Sequence, residues 1–439
     1  MSSKKKLSLQ TGEDLKGCLE RLFPLRRCLS GPDNQLTLEI LREYIPQLEI
    51  KNFKIHEKVW DWKIPEYWTL HEAKILDTQG NLVFDGMDHT LKVVSHSNSF
   101  SGKISGQYLR NKIHTHEKLI EAIPYRTYYY KDDWGFCTSQ SDIESWLRDE
   151  DDYLVELKTS HEAKDMPYGE ITFPGTSDEE ILVSTYICHP SMANDNLSGV
   201  VMTSALAQFL AQKKTLKYTW KLIWVPETIG ALAWSYYNQS HWHKIQAAII
   251  MSTCAGPGEF TYKAPFKENH WLETTLCKTM DENAYKYQKY KFDPHGSDER
   301  QYSAPGLRVP SCSLHQSKYY DYAEYHSSLD NLENVSASQL ERSLKVHQKW
   351  VESIESERFP KRKETISGEY MLGPRNLYST DGGTFLPGTN LSALDLRLWI
   401  LFYCDGSFSL SQIAQTLQMQ KSLVEAEVEF LINEGMLDA

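Results

Sequence analysis

The chain has 439 residues, of which 41% are apolar and 12% aromatic, and its formal net charge is −12. This charge argues against non-specific binding to nucleic acid or to an anionic membrane, and no run approaches the roughly 18 apolar residues of a membrane helix. The basic start, residues 1–6, lacks the apolar stretch of a secretory signal. We therefore predict a cytoplasmic protein of two or three domains with no nucleic-acid or membrane partner.

The first elements are two segments with helical spacing, residues 14–23 and 35–44, each of which stops at a proline. Short alternating runs between glycine and aspartate turns then begin near residue 54, and they predict a β-rich insertion. The clearest of them are residues 73–76, 81–84 and 91–94.

This change of pattern predicts the domain boundaries. We expect residues 1–53 and 153–365 to form one discontinuous domain that carries the site described below. Residues 54–152 would be an inserted β-rich domain, and residues 366–439 a linker followed by a small helical domain.

The predicted insertion is rich in aromatic residues, which are Trp60, Trp62, Trp68, Tyr125, Tyr128, Tyr129, Tyr130 and Trp134. They would suit a stacking surface for a sugar or a peptide. Half-buried packing between strands explains such residues more often, and we favour packing.

A nearly continuous apolar and β-branched run, residues 181–188, predicts a buried parallel strand. His189 stands at its carboxyl end, and Asp195 follows at the start of a segment with helical spacing, where a carboxylate is favoured. Binding sites of open α/β sheets form outside the carboxyl ends of strands. Taken alone, the pair is better explained by an ordinary capped turn.

Two further motifs change this interpretation. A second apolar strand, residues 220–225, ends just before Glu227, and a polar loop much later in the chain contains His326. Two imidazoles, one carboxylate that binds a cation and one that acts as a base are the parts of a hydrolytic zinc site. Zinc lowers the pKa of a bound water from about 15.7 to about 7, and a free glutamate can then accept the proton.

The eight cysteines are scattered without a C-x-x-C motif, which indicates reduced and mostly buried residues. Cys188 precedes His189 and is a conceivable soft ligand. Strand alternation would point its side chain away from the site, so we predict that it packs in the core.

A polar loop over residues 291–302 is bracketed by turn formers. It offers Asp298 to orient a histidine ligand and Arg300 to hold a substrate carboxylate, with His295 as a further candidate. The alternative is an ordinary solvated loop.

Three short helices are predicted at residues 392–403, 410–417 and 422–434, a spacing that suits a winged helix. The segment 391–439 holds two basic residues against seven acids, so phosphate would repel it. We predict a packing or dimer-forming module and hence a possible homo-oligomer, with no role in DNA binding.

The chain contains four motifs in order: His189 with A-N-D-N-L-S-G, the glutamate before I-G, G-S-D-E-R at 296–300 and Y-H-S-S-L-D-N at 325–331. Together they resemble the bacterial leucyl-aminopeptidase type of zinc exopeptidase. The nearer resemblance is to its aminopeptidase-like branch, which is often found among polysaccharide-biosynthesis genes and carries an early inserted domain and a terminal winged helix. This resemblance implies an α/β fold with a mostly parallel sheet flanked by helices.

The resemblance also implies roles for individual residues. His189, Asp195 and His326 would be metal ligands, and Glu227 would be the general base. Asp298 would support the ligands, and Tyr325 belongs to the same motif as His326, where it would support the site or contact substrate.

Two departures from the di-zinc relatives concern carboxylates. Those enzymes have two consecutive glutamates where this chain has Glu227 and Thr228, and an aspartate after the next strand where it has Ser252 and Thr253. Two dications close together need that negative charge. We therefore predict one zinc ion per chain.

The predicted function is zinc-dependent hydrolysis of an amide bond in a small peptide or aminoacyl conjugate. A deacylase acting on an amide in a sugar precursor is the alternative enzyme. A catalytically inactive ligand-binding protein is the alternative from another class, and the two missing carboxylates favour it.

Overall fold

The structure is a computed structural model that describes residues 7–363, 368–378, 385–386 and 388–438. It divides into two compact units. The first comprises Met1–Phe266 and Tyr285–Gln348, and the second comprises Lys267–Ala284 and Lys349–Ala439. This division does not test the predicted domain boundaries, which stay a prediction.

The elements up to residue 162 are, in chain order, α1 (Gly12–Leu22), α2 (Pro32–Tyr44), β1 (Glu49–Phe53), β2 (Lys58–Val59), β3 (Trp62–Lys63), β4 (Tyr67–Leu76), β5 (Leu82–Asp85), β6 (Phe100–Ser105), α3 (Gly106–Arg110), β7 (Ile113–His114), β8 (Phe136–Cys137), α4 (Gln140–Trp146) and β9 (Asp152–Glu162). The two predicted opening helices are confirmed. Thr11 and Asp14 cap the start of α1 reciprocally, and Pro32 lies in the first turn of α2, where its missing N–H costs nothing.

The later elements are β10 (Met166–Phe173), β11 (Glu180–Tyr186), α5 (Gly199–Leu210), β12 (Thr219–Val225), α6 (Ile229–Tyr237), β13 (Ile245–Met251), β14 (Phe260–Lys263), α7 (Trp271–Glu282), β15 (Tyr287–Tyr290), α8 (Glu299–Tyr302), β16 (Ser311–Gln316), α9 (Ala337–Ser356), α10 (Ala393–Tyr403), α11 (Leu410–Thr416) and α12 (Lys421–Asn433). A short π-helical turn, Ala193–Ser198, leads into α5.

An eight-stranded sheet forms the core of the first unit, in the order β1-β10-β12-β11-β13-β16-β14-β15. Its central strands β12, β11, β13 and β16 pair in parallel. The outer pairs β1–β10, β10–β12 and β14–β16 are antiparallel, and the edge pair β14–β15 is parallel. Every residue of β11 is buried, as its continuous apolar pattern predicts. The predicted α/β architecture with a mostly parallel central sheet is confirmed.

A second, antiparallel sheet in the same unit has the order β5-β4-β9-β6. It encloses its own apolar cluster, which includes Trp68, Ile75, Phe84 and Val155. The predicted run 91–94 is not a strand, because Val93 forms only an isolated bridge to Phe136.

The aromatic residues of this region differ in exposure. Trp68, Tyr128 and Trp134 are buried, as packing requires. Trp60, Trp62, Tyr129 and Tyr130 are exposed by 38–53%. Full burial therefore applies to only part of the set, and a stacking surface for a ligand stays a prediction.

Helices α10, α11 and α12 of the second unit surround an apolar cluster that includes Ile400, Ile413, Val428 and Leu431. Serine residues cap the starts of α10 and α11 through capping boxes. The three predicted helices are confirmed, and the winged-helix assignment stays a prediction. Within the described ranges, none of the helices has the length and apolarity needed to cross a bilayer.

Candidate metal centre

Three neighbouring strands deliver polar side chains to one edge of the large sheet. His189 follows the end of β11, Glu227 follows β12, and Ser252 directly follows β13. Since β11 pairs in parallel with both β12 and β13, these strands end at the same edge. The parallel topology therefore brings together residues that are far apart in the sequence.

His189, Asp195 and His326, the three predicted metal ligands, meet at this edge. Asp195 Oδ2 lies 3.1 Å from His326 Nε2 and 3.9 Å from His189 Nε2. The ligand atoms of all three residues lie within 4.8 Å of one another. Asp195 Oδ2 and His326 Nε2 are buried and have no hydrogen-bond partner among the described residues, which is unusual for buried polar atoms.

The carboxylate of Asp195 is fully buried and held from several sides. Its Oδ1 atom accepts a hydrogen bond from the Tyr186 hydroxyl. Burial alone would raise the pKa of Asp195, but His189, His326 and Tyr186 together lower it to about 2. Burial also lowers the pKa of His189 to about 4, which Asp195 only partly offsets. At neutral pH the site therefore presents an anionic carboxylate and a neutral imidazole.

A second buried carboxylate, Asp330, fixes the turn that carries Asp195. Its Oδ1 and Oδ2 atoms accept from the backbone N–H groups of Asn194 and Asp195, each at 2.8 Å, and Oδ2 also accepts from the Tyr322 hydroxyl at 2.9 Å. Burial raises the pKa of Asp330 to about 7 in spite of these donors. The role of this aspartate was not predicted, although it lies in the motif that contains His326.

We expect Asp330→Asn to disturb this turn, because an amide NH2 group would replace an oxygen that accepts backbone N–H groups. The free energy of unfolding should fall by about 2 kcal/mol, and metal affinity should fall about tenfold. Chemical denaturation and metal titration would measure both effects. Asp321→Asn, at a partly exposed aspartate, is the control and should change neither quantity.

Glu227 lies beside the three residues, with Oε2 3.9 Å from His189 Nε2. Burial raises its pKa well above the usual range for a glutamate, and Asp298 and Asp195 raise it further. Burial also raises the pKa of Asp298 to about 7. A carboxylate with a raised pKa accepts a proton more readily than an ordinary one.

Asp298 raises the pKa of the neighbouring Glu227, and its predicted role in orienting a histidine stays a prediction. Its Oδ1 atom accepts a hydrogen bond of 2.8 Å from the backbone N–H of Thr228. It thereby fixes the turn after β12 at a residue with a positive φ of 61°. His295 and Arg300, the other candidates from this loop, are exposed.

Cys188 belongs to the buried core, as predicted, but its side chain does not point away from the site. Its Sγ atom lies 3.4 Å from His189 Nδ1 and accepts a hydrogen bond from the backbone N–H of Glu227. Cys188, His189 and Glu227 form a second group whose ligand atoms lie within 4.8 Å of one another. The prediction was wrong because β11 ends at Tyr186, so strand alternation does not extend to Cys188.

Aromatic rings enclose the two histidines. Tyr325 stacks on His326 with ring centroids 3.9 Å apart, and the Tyr125 ring lies 4.9 Å from His189 and 5.2 Å from His326. Tyr125 reaches the site because its backbone N–H donates to the carbonyl of His326 at 2.8 Å, next to a bridge between Pro124 and Ser327. No local sequence pattern predicts this pairing.

Arg27 is a further residue that was not predicted. It is buried, and its guanidinium donates to the backbone carbonyl of His189 and to that of Leu22 at 2.5 Å. Burial lowers its pKa to about 10. The guanidinium thus fixes the backbone of one predicted ligand.

Neutral side chains replace the two missing carboxylates. The Ser252 hydroxyl lies 2.8 Å from the Tyr186 hydroxyl, which in turn donates to Asp195. Thr253 Oγ1 lies 2.8 Å from Nδ1 of the buried His315. Ser252 and Thr253 are therefore part of a buried neutral network.

This chain is similar to known proteins in both sequence and fold. A protein of Clostridium acetobutylicum, provisionally named a polysaccharide biosynthesis protein with an aminopeptidase-like domain, is 34% identical over 409 residues, or 93% of this chain and 92% of that protein. A crystal structure from the same species, provisionally named a peptidase, matches with a TM-score of 0.80 and 31% identity over 97% of this chain and 96% of that one.

BSAP, a zinc aminopeptidase from Bacillus subtilis, matches with a TM-score of 0.58 and 10% identity over 80% of this chain and 96% of that one. At this identity the likeness concerns the fold, which is that of the zinc aminopeptidases. Residues 17–357 match the family described as "Domain of unknown function (DUF4910)". The chain belongs to this family, and its fold is aminopeptidase-like.

Proposed function

We propose that the chain is a zinc-dependent hydrolase of an amide bond, aminopeptidase-like in its chemistry, that acts on a small peptide or an aminoacyl conjugate. The main support is that Asp195 Oδ2 and His326 Nε2 are both buried, have no hydrogen-bond partner among the described residues, and lie within 4.8 Å of a ligand nitrogen of His189. In a tetrahedral site with bonds of about 2.0–2.1 Å, ligand atoms lie roughly 3.4 Å apart. The separations of 3.1 and 3.9 Å fit one such ion.

His189, Asp195 and His326 would hold the ion. When bound, zinc would act as a Lewis acid on the scissile carbonyl and make a water molecule more acidic. Glu227, with its raised pKa, would take the proton of the attacking water and deliver it to the leaving nitrogen. Tyr186 and Asp330 would keep Asp195 in place, and the rings of Tyr125 and Tyr325 would limit the access of bulk water.

The test is metal content combined with activity on a substrate panel. We expect zinc-loaded protein to release product from aminoacyl or N-acyl-sugar amides and chelated protein to release none. Restoring zinc should restore activity. Activity that survives complete removal of metal would contradict the proposal.

Two other functions have specific support. A deacylase that cleaves an amide in a sugar precursor uses the same residues, and the name of the Clostridium acetobutylicum relative favours a sugar substrate. An inactive binding protein is favoured by the neutral residues at positions 228 and 252. The panel separates the two enzymes, and metal content separates both of them from the binding protein.

We expect close to one zinc ion per chain, and Thr228→Glu should increase the uptake of a second. The added carboxylate would supply both a ligand and a negative charge to offset the second dication. Native mass spectrometry would count the ions. Thr228→Gln is the control, because glutamine is similar in shape to glutamate but neutral. This variant should still bind close to one zinc ion per chain. Two fully bound ions in the unmodified protein would contradict the single-ion proposal.

A further inference from the structure

A cavity of about 500 Å³ lies beside the candidate metal centre. Its size falls within the roughly 300–1,000 Å³ of small-molecule sites. Tyr325 lines the cavity and stacks on His326 with ring planes only 15° apart. The wall of the cavity is thus in direct contact with a predicted metal ligand.

One side of the cavity is aromatic. Tyr320, Tyr322 and Tyr325 line it, and the Tyr325 ring lies 4.9 Å from Tyr320 and 5.7 Å from Tyr322. The Tyr322 hydroxyl is held by Asp330, so this wall is tied to the turn that carries Asp195. Such rings offer flat apolar faces and polar edges to a ligand.

The cavity lining also carries positive charge. Lys118 and Arg126 line the cavity, and neither forms an ion pair with any residue in the described ranges. Arg126 directly follows Tyr125, whose ring contacts both histidines. Among the described residues that line the cavity, Glu117 is the only acid, so this lining has a positive excess although the chain as a whole carries −12.

His116 adds a hydrogen-bond donor to the same wall. Its Nδ1 atom accepts from the backbone N–H groups of Lys118 and Leu119, at 3.2 and 3.0 Å. The neutral ring must therefore carry its proton on Nε2. With Lys118 and Arg126, the wall contains three donor side chains, and charged donors bind carboxylate and phosphate oxygens strongly.

We infer, on the basis of the proposed function, that the substrate carries a carboxylate or phosphate group on the part that occupies this cavity. Lys118 and Arg126 bind that group, and the tyrosines pack against the flat part of the molecule next to it. A peptide with a free carboxyl terminus and an acidic or phosphorylated amino sugar share this chemistry. A substrate that is neutral beyond its scissile amide would leave both cations without a partner.

Two pairs of probes test the inference and distinguish the sources: leucyl-glycine against leucyl-glycinamide, and N-acetylglucosamine 1-phosphate against N-acetylglucosamine. Calorimetric Kd values would be measured with zinc-loaded Glu227→Gln protein, so that binding does not depend on turnover. We expect the anionic member of one pair to bind about tenfold more tightly than its neutral partner. Higher ionic strength should reduce this preference.

The double variant Lys118→Gln, Arg126→Gln, made in the same background, should lose the preference. Arg110→Gln is the control, because Arg110 is partly exposed and pairs with Asp149 outside the cavity. An unchanged preference in the double variant, equal binding within both pairs, or no binding of any probe would overturn the inference.

Hydrolysis by the unmodified protein is measured separately on the same compounds. An anionic preference without hydrolysis would remove the proposed function and leave the binding site. Hydrolysis without a preference for the anionic compounds would support the proposed function and remove the proposed anion-binding site.

Discussion

Glu227→Gln is expected to reduce the rate of amide hydrolysis by at least about 100-fold, because general acid–base catalysis contributes typically 10²–10⁴. Glutamine keeps the shape of the side chain but cannot accept a proton. The bound zinc should remain, since our assignment gives Glu227 no role as a ligand. Steady-state kinetics and elemental analysis of the same sample would measure both.

Metal content decides between two roles for Glu227. Its Oε2 atom and Asp195 Oδ2 lie equally far, 3.9 Å, from His189 Nε2, so Glu227 is close enough to act as a fourth ligand. If the variant loses its zinc, Glu227 is a ligand and another group must take the proton. Glu259→Gln, at a glutamate whose side chain is 70% exposed, is the control and should keep both activity and zinc.

The sequence predicted the frame of the site because that frame depends on local patterns. A continuous apolar run indicates a strand buried on both faces, and β11 is such a strand. Parallel pairing then places the residues after β11 and β12 at one edge, which is why His189 and Glu227 were selected as neighbours. His326 lies in an irregular loop, and its place beside them was predicted from the chemistry of a zinc site, which needs a second imidazole, and from the family resemblance.

The parts that the sequence did not predict depend on contacts between distant segments. Tyr125 is placed by backbone pairing with residues 326–328, about 200 positions away, and Arg27 by hydrogen bonds to backbone carbonyls. Neither contact leaves a periodic pattern in the chain. Cys188 was misjudged for a local reason, since the alternation of β11 stops before it.

The neutral network around Ser252 bears on the proposal that the site holds a single ion. Ser252 does more than lack a charge, because its hydroxyl lies within hydrogen-bond distance of the tyrosine that donates to Asp195. Asp195 Oδ1 is thereby engaged by Tyr186, and Oδ2 alone has no partner in the described part of the chain. A carboxylate with one engaged oxygen and one open oxygen is suited to bind one ion rather than to bridge two.

Asp195→Asn should therefore have the largest effect on metal binding. Asp195 Oδ2 lies close to the Nε2 atoms of both His189 and His326. The substitution removes the only negative charge among the three proposed ligands. We expect zinc affinity to fall by more than the roughly 10–100-fold typical of residues that merely support a ligand. Calorimetric titration of zinc into the metal-free protein would measure it.

The same variant separates loss of metal from loss of fold. Zinc at 100 times its Kd stabilises a protein by about 2.7 kcal/mol, so the unmodified chain should show a clear rise in Tm when zinc is added. In Asp195→Asn this rise should disappear while the metal-free protein still unfolds cooperatively, because asparagine keeps the shape of the buried side chain. Asp61→Asn, at a side chain that is 99% exposed, should keep the full rise. If Asp195→Asn keeps it as well, the ion binds elsewhere, and the group formed by Cys188, His189 and Glu227 becomes the candidate.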